Sequence, residues 1–421
     1  MKKRFNKALQ SLKMEGVFKW LYPGIGIKRW VTLGLFGIFL IVVGASHLRA
    51  EEFWLIQSLD FVVLISGVII LILGIGRLMR SFMTVVMPSA RDNQLVDLLY
   101  LKKQLSKGPK IVAVGGGTGL SMLLSGLKEY TSNITAIVTV ADDGGSSGRL
   151  RQQFDILPPG DIRNCLVALA DAPSLMRELF QFRFEKNSEF AGHSFGNLFI
   201  TVMTQLTGDF EKAVKETSKV LALRGQVIPS TLDKVVLAAE HKDGSLTEGE
   251  YKIPRAHKAI KRVYLNPLGA QATPEAIKAI KEAQIIVLGP GSLYTSIIPN
   301  LLIEEIPKAI VASDAIKCYV CNVMTQPGET DGYKVSDHVR ALASHSDPRV
   351  LNYCVVNVGG IPDEFLKRYA RENSYLVVND RKYTEGLGYR VIEDDFVMVD
   401  DLIRHDPRKL AKIIVGFLEE I

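Results

Sequence analysis

Cysteine is scarce, four residues among 421, and Cys165, Cys318, Cys321 and Cys354 are too scattered to read as a disulfide framework. Cys318 and Cys321 do form a C-x-x-C. It lies in the strand-like run KCYVCNVMT, where positions three apart point to opposite faces, so a metal or disulfide pair is not expected. Internal repeats and low-complexity tracts are absent, which excludes solenoid and collagen-like architectures. The excess of Lys and Arg over Asp and Glu is only 6 charges, and its densest block runs from Lys2 to Arg29. Contact with anionic lipid headgroups is therefore expected, and contact with nucleic acid is not. No short apolar region with a small-residue cleavage site stands near the start, so a cleaved signal peptide is not expected.

Acidic residues and lysine are also missing from two long apolar stretches. Trp30–Leu48 and Phe61–Met79 contain no Asp, Glu or Lys and approach the ~20 residues that cross a ~30 Å hydrocarbon layer. A core helix of this length would show a polar stripe; neither stretch has one. Two transmembrane helices are expected. Basic residues precede the first and close the second, at Arg77 and Arg80, while Glu51, Glu52 and Asp60 fall in the connecting Arg49–Asp60 segment. That asymmetry predicts a two-pass protein of the cell membrane with both termini and the main domain in the cytoplasm. The expected organisation is an anchor over residues 1–80, a polar connector over 81–109 and a domain over 110–421.

From Lys110 onward strand and helix patterns alternate. Buried strands are expected at Ile111–Val114, Ile134–Val140, Gln284–Leu288, Ala309–Ala312 and Leu351–Val358, and helices at Leu120–Tyr130, Ile162–Ala170, Pro274–Glu282 and Pro407–Glu420. The alternation predicts an α/β fold: a Rossmann-like, doubly wound, mostly parallel sheet. Short strands from Gln226 to Tyr264 read as a small inserted β subdomain. In an open sheet of this kind ligands bind outside the carboxyl ends of the strands.

Several motifs fall at those ends. In KIVAVGGGTGLSMLLSGLKEY an apolar strand runs through glycines into a leucine-rich helix, and Gly116, Gly117, Thr118 and Gly119 offer a helix N-terminus that a phosphate can approach. The third glycine of the dinucleotide motif is Leu120, and the P-loop lysine is lacking. A tight turn alone would need one glycine. After the second strand, TVADDGGSSGRLR brings Asp142 and Asp143 for ribose or metal, Gly145 and Ser146 as donors, and Arg149 as a phosphate partner. In LPPGDIRN, Asp161 is placed to cap a helix, with Arg163 and Asn164 in its first turn. GHSFGN adds Gly196 and Asn197, favoured over His193 as ligand contacts. IIVLGPGSLYTSIIPNL repeats the strand–glycine–helix pattern with Gly289, Gly291, Ser292 and Thr295 as a second phosphate cradle, and two cradles suit a ligand with two phosphates. NVMTQPGET (Asn322 to Thr330) and DLIRHDP (Asp401 to Pro407) place further polar groups late on the sheet, Arg404 among them.

Taken in order, GGGTGL, VTVADDGGSSGRLR, PPGDIRN, HSFGNL and LGPGSLYTSIIPNLL resemble the YvcK/CofD-like family from about Lys110 to the C-terminus. The resemblance implies a Rossmann-like fold and two branches. One comprises 2-phospho-L-lactate transferases of deazaflavin cofactor synthesis. The other comprises bacterial gluconeogenesis factors, which bind nucleotide sugars such as UDP-N-acetylglucosamine and support cell shape, and whose wording is closer here. Two features depart from the family pattern: the membrane hairpin, absent from the usual soluble members, and Pro407, where a threonine often follows the Arg-His-Asp element, which removes a phosphorylation site. A nucleotide or nucleotide-sugar binding factor is the preferred expectation. The alternative is a transferase in which Asp142 and Asp143 hold Mg²⁺ while Arg149 and Arg163 neutralise charge. No side chain announces itself as the base. The sequence names no protein partner, and a homo-oligomer stays open.

Overall fold

The computed structural model describes residues 27–47, 54–86, 100–185 and 189–418. The chain divides into two compact units, one ending at Leu101 and the other beginning at Lys102.

The first unit is a hairpin of α1 (Ile27–His47) and α2 (Trp54–Val86). Glycine sets its close packing. A Cβ on Gly37 would fall 2.7 Å from the backbone nitrogen of Leu71, and one on Gly44 would fall 2.8 Å from the carbonyl oxygen of Asp60. Gly67 and Gly74 supply the matching gaps on α2, the small-residue contact that lets apolar helices approach without a hydrophobic driving force. Away from that seam Phe36, Phe39, Val62, Ile69 and Ile72 are exposed. Both helices are long and apolar enough to cross a membrane, by length and composition. Because α2 begins at Trp54, Asp60 lies within the helix rather than in the connection, and α2 continues beyond Met79 to Val86. The Lys2–Lys19 block expected at lipid headgroups lies outside the described residues, as do residues 87–99 of the expected connector.

The second unit is a Rossmann-like α/β fold. Its central sheet has seven strands in the order β10-β9-β8-β7-β1-β2-β3, and every neighbouring pair is parallel. β1 (Ile111–Gly115) leads through α3 (Gly117–Leu127) to β2 (Ile134–Val138). Five helices follow: α4 (Gly145–Phe154), α5 (Gly160–Leu169), α6 (Ser174–Gln181), α7 (Phe195–Thr207) and α8 (Phe210–Val220). They deliver the chain to β3 (Gln226–Pro229) at the sheet edge. An antiparallel three-stranded sheet of β4 (Val236–His241), β5 (Leu246–Glu248) and β6 (Ile260–Asn266) comes next. α9 (Pro274–Glu282) then returns the chain to β7 (Ile285–Leu288), on the other side of β1. Winding continues through α10 (Ile298–Leu301), α11 (Glu305–Ala312), β8 (Ile316–Val320), α12 (Val335–His345) and β9 (Tyr353–Asn357). α13 (Asp363–Ala370), α14 (Arg381–Gly386) and β10 (Arg390–Asp394) complete the sheet. A ribbon of β11 (Val397–Val399) and β12 (Ile403–His405) precedes the last helix, α15 (Pro407–Gly416). Every residue of β1, β2 and β7 is buried, as strands covered by helices on both faces require. The direction of winding reverses between β1 and β7, which makes their carboxyl ends the switch point of the sheet.

Two expectations fail. Ala309–Ala312 is the end of helix α11, and the strand at that place is β8. The four-residue apolar run hid a helical period: Ile306, Pro307, Ala309 and Ile310 are the buried positions, recurring three and four apart. The segment Gln226–Tyr264 is likewise not one subdomain. β3 pairs in parallel with β2 as the edge of the main sheet, where its terminal Pro229 is tolerated, and only β4, β5 and β6 form the insert.

Candidate functional site at the switch point

The two glycine turns meet at the ends of β1 and β7. Gly117 opens α3 with φ of +67°, and Gly289 and Gly291 carry φ of +78° and +156°. The turns touch at Gly119, where a Cβ would stand 2.6 Å from the carbonyl oxygen of Pro290. Asn300 of α10 reinforces the contact by donating through Nδ2 to the Gly115 carbonyl at 3.2 Å. A loop after β8 holds the second turn from the other side. Asn322 Nδ2 donates to the Gly291 carbonyl at 2.8 Å and Gln326 Nε2 to Ser292 Oγ at 2.6 Å. The buried Glu329 carboxylate accepts from the Tyr294 N–H at 3.2 Å and the Thr295 hydroxyl at 3.0 Å. Burial pushes that carboxyl up to about 7.

A cavity of about 850 Å³ opens here. Of the expected residues, Gly116, Gly117, Thr118, Gly119, Asn164, Gly291, Ser292 and Arg404 line it. Gly289 and Thr295 do not: Gly289 lies under Ile297, and Thr295 is committed to Glu329. His405, beside Arg404 on β12, also lines the cavity. It is buried and stacks on Phe396 with ring centroids 5.4 Å apart, burial lowers it to about 4, and its Nδ1 has no partner.

The remaining expected residues form a packed polar cluster off this cavity. Gly145, Ser146 and Arg149 are helical residues of α4, not donors in an open loop. Ser146 Oγ bonds His193 Nδ1 at 3.0 Å and accepts from Asn197 Nδ2 at 3.1 Å. Arg149 donates to the Ala191 carbonyl at 2.8 Å. Arg163 is buried and donates to Ser194 Oγ and to Asn164 Oδ1. It lies across Gly196, where a Cβ would stand 2.8 Å from Arg163 Cδ. Asp142 accepts from the Gly144 N–H at 2.9 Å, whereas Asp143 accepts from the Tyr251 N–H at 2.8 Å, so the adjacent carboxylates are held to separate partners. Among the described residues no three Asp, Glu, His or Cys side chains converge as a ligand set for a metal.

Asp161 is not the expected cap. The helix α5 begins at Gly160 after Pro159, without a side-chain cap, and Asp161 accepts from the Gly117 N–H beneath the glycine loop. Burial, then the charge of Asp142, pushes its carboxyl up to about 7. Glu250, in the turn after β5, is raised to about 8 by burial and by Asp142, Asp161, Glu329 and Asp143. Nothing in the local wording around Glu250 marks it in the sequence.

Residues 111–397 match the family model described as 2-phospho-L-lactate transferase CofD. This chain belongs to the CofD family. A gluconeogenesis factor of Bacillus subtilis is 50% identical over 75% of this chain and 100% of its own length. A Nostoc relative carrying a gluconeogenesis-factor name is 48% identical over 97% of this chain and 94% of its own, an alignment long enough to include the hairpin. The extension is thus shared within the CofD family rather than peculiar to this chain. The crystal structure of a Bacillus halodurans protein, 48% identical, superposes with a TM-score of 0.72 over 73% of this chain and all of its own.

Proposed function

We propose that this CofD-family protein is a binding factor for a nucleotide or nucleotide sugar of the UDP-N-acetylglucosamine type. In this reading it links central carbon metabolism during gluconeogenic growth to cell-envelope synthesis and cell shape, while the hairpin crosses the cell membrane twice and leaves both termini and the second unit in the cytoplasm. The observation that carries the proposal is the cavity at the β1/β7 switch point, bounded by two glycine turns and Arg404. Backbone N–H groups at such turns suit a diphosphate, and an arginine fork suits one of its oxygens. The gluconeogenesis-factor names of the relatives support the metabolic side.

A second reading, a phosphate-linked transfer of the kind for which the family model is named, is favoured by Glu250. Burial and the charges of Asp142 and Asp161 hold its carboxyl at about 8, so it carries a proton at neutral pH and is suited to give one to a leaving oxygen. The separate engagements of Asp142 and Asp143 do not make a ready Mg²⁺ site.

Isothermal titration of the full chain in detergent micelles with UDP-N-acetylglucosamine, UDP and ADP-glucose, followed by product analysis, tests the choice. Binding insensitive to chelator, with Arg404→Ala weakening it about tenfold or more, the loss of a charge-assisted bond, is the expected result. Chelator-sensitive formation of a new phosphodiester, lost in Asp142→Asn, would overturn it in favour of the transferase.

A further inference from the structure

The cavity does not end at the glycine turns. It runs down one face of α3, past Ser121, Met122 and Ser125, to Lys128 just beyond the helix. From Gly117 to Lys128 that is about 16 Å at the rise of an α-helix. Lys128 donates to the Ala170 carbonyl at 2.9 Å through Nζ, which keeps further protons for another partner. Facing it on α6 stands Arg177, whose side chain makes no hydrogen bond or ion pair among the described residues. The two cations are close enough that Arg177 acts on Lys128, whose amine is lowered first by burial and next by that charge. The nearby Arg224 is already committed to Asp171 at 2.8 Å and Glu129 at 4.0 Å. Glu178 also lines this end, so the lining there carries two positive charges against one negative. Ser174, the first residue of α6, adds its hydroxyl.

An unspent positive charge at the far end of a cavity calls for a singly charged anion, and the planar fork of arginine fits a carboxylate. Resting on the reading of the glycine turns as a diphosphate cradle, we infer that Lys128 and Arg177 form a second anionic subsite, which takes a carboxylate carried on the sugar of the bound nucleotide. Long helical side chains lean toward the N-terminus, so Lys128 shortens the gap from its own end. A pyranose ring next to the diphosphate covers part of the remainder, and an acidic arm on the ring covers the rest. Ser121 and Ser125, one helical turn apart along the route, donate to the Thr118 and Met122 carbonyls at 2.9 and 2.7 Å, and their oxygens stay available to accept from the hydroxyls of a sugar, which an acyl chain lacks. The preferred ligand class is thus a nucleotide sugar with an acidic arm.

The probes are UDP-N-acetylglucosamine and UDP-N-acetylmuramic acid, which differ by one lactyl carboxylate, titrated into the full chain in detergent micelles. The expected result is an affinity for the acid-bearing sugar about tenfold higher or more, the scale of one charge-assisted hydrogen bond. In Arg177→Gln the ratio of the two affinities should fall to about one. Arg177 is exposed on α6, so that variant is expected to fold, and Lys128→Gln should change the ratio in the same direction. A ratio near one in the parent protein, or a ratio unchanged in Arg177→Gln, overturns the subsite. Failure of both sugars and of UDP to bind would remove the diphosphate reading itself.

Discussion

Glu329→Gln isolates the cost of keeping a carboxylate under the second glycine turn. Glu329 is 4% exposed, and its oxygens accept from the Tyr294 N–H and the Thr295 hydroxyl. Those bonds favour the charged form, but burial outweighs them and raises the carboxyl from 4.5 to about 7. In the unfolded chain the group loses its proton near 4.5, and in the folded chain it keeps it until about 7. The folded state therefore binds more protons between those values, and stability present below 4.5 is lost as the pH rises through 7. The size of that loss is about 3 kcal/mol. Gln carries no charge at any pH. It also turns an N–H toward one of the two donors, an offset of about 1–2 kcal/mol that does not vary with pH. Urea unfolding of the full chain in detergent micelles, followed by far-ultraviolet circular dichroism at pH 5 and pH 8, gives the comparison. Asp161 titrates in the same window in both proteins and cancels in the difference between variant and parent, whereas Glu250, raised in part by Glu329, is relieved in the variant and shifts that difference in the same direction. That difference should move by about 2.5 kcal/mol in favour of Gln from pH 5 to pH 8, since part of the loss is already present at pH 5. Parallel stability curves would refute the argument that burial holds this carboxyl above its free value despite its two hydrogen bonds.

Two glycines of the first turn should respond differently. Gly119→Ala drives a methyl against the Pro290 carbonyl, 2.6 Å away, and should cost about 1–3 kcal/mol of stability while parting the two turns. Gly117→Val meets only Ser296 Oγ, at 3.6 Å from its Cβ, but must hold φ of +67°. It should cost about 1–2 kcal/mol for that conformation and weaken nucleotide binding by far more. Affinities within about twofold of the parent for every nucleotide tested would make the turn purely structural. For the hairpin, a cysteine placed between Arg49 and Asp60 should react with an impermeant maleimide from outside intact cells and one placed after Lys103 should not; the reverse pattern would overturn the orientation.

The fold was legible wherever period and punctuation agreed. β1 and β7 are short unbroken apolar runs and β2 is interrupted only by Thr135, and α9 has the expected bounds because Thr273 and Pro274 mark its start and its apolar positions keep a helical spacing. Legibility failed where a run was too short to show a period, as at Ala309–Ala312. It also failed where pairing is a long-range fact: nothing within the Gln226–Pro229 wording tells whether it joins β2 or the neighbouring insert. Helix ends in the hairpin were shifted for a related reason. Helical hydrogen bonding continues beyond the apolar window, so charge content marks a span and not the limits of the helix.

The glycine turn shows most plainly what a motif does and does not say. Four glycines in a short span look like room made for one ligand, yet the fold itself requires two of them. A Cβ on Gly116 would stand 2.5 Å from Asp161 Oδ2, so that position is kept bare for a carboxylate of this chain, and Gly119 is kept bare for Pro290. Asp161, read as a helix cap, is instead the reason for a glycine 45 residues earlier, through a contact that only the packing of α5 beneath the loop creates. The same holds for Arg163 and Gly196, and for Glu329 and Thr295: each pair couples a chemically expressive residue to a quiet one from a different motif. Residue types thus located the switch point, while the division of labour inside it depends on distances that no single motif contains. Gly117 is left as the position whose bare backbone faces open cavity, which is why its substitution, more than that of its neighbours, should separate binding from stability.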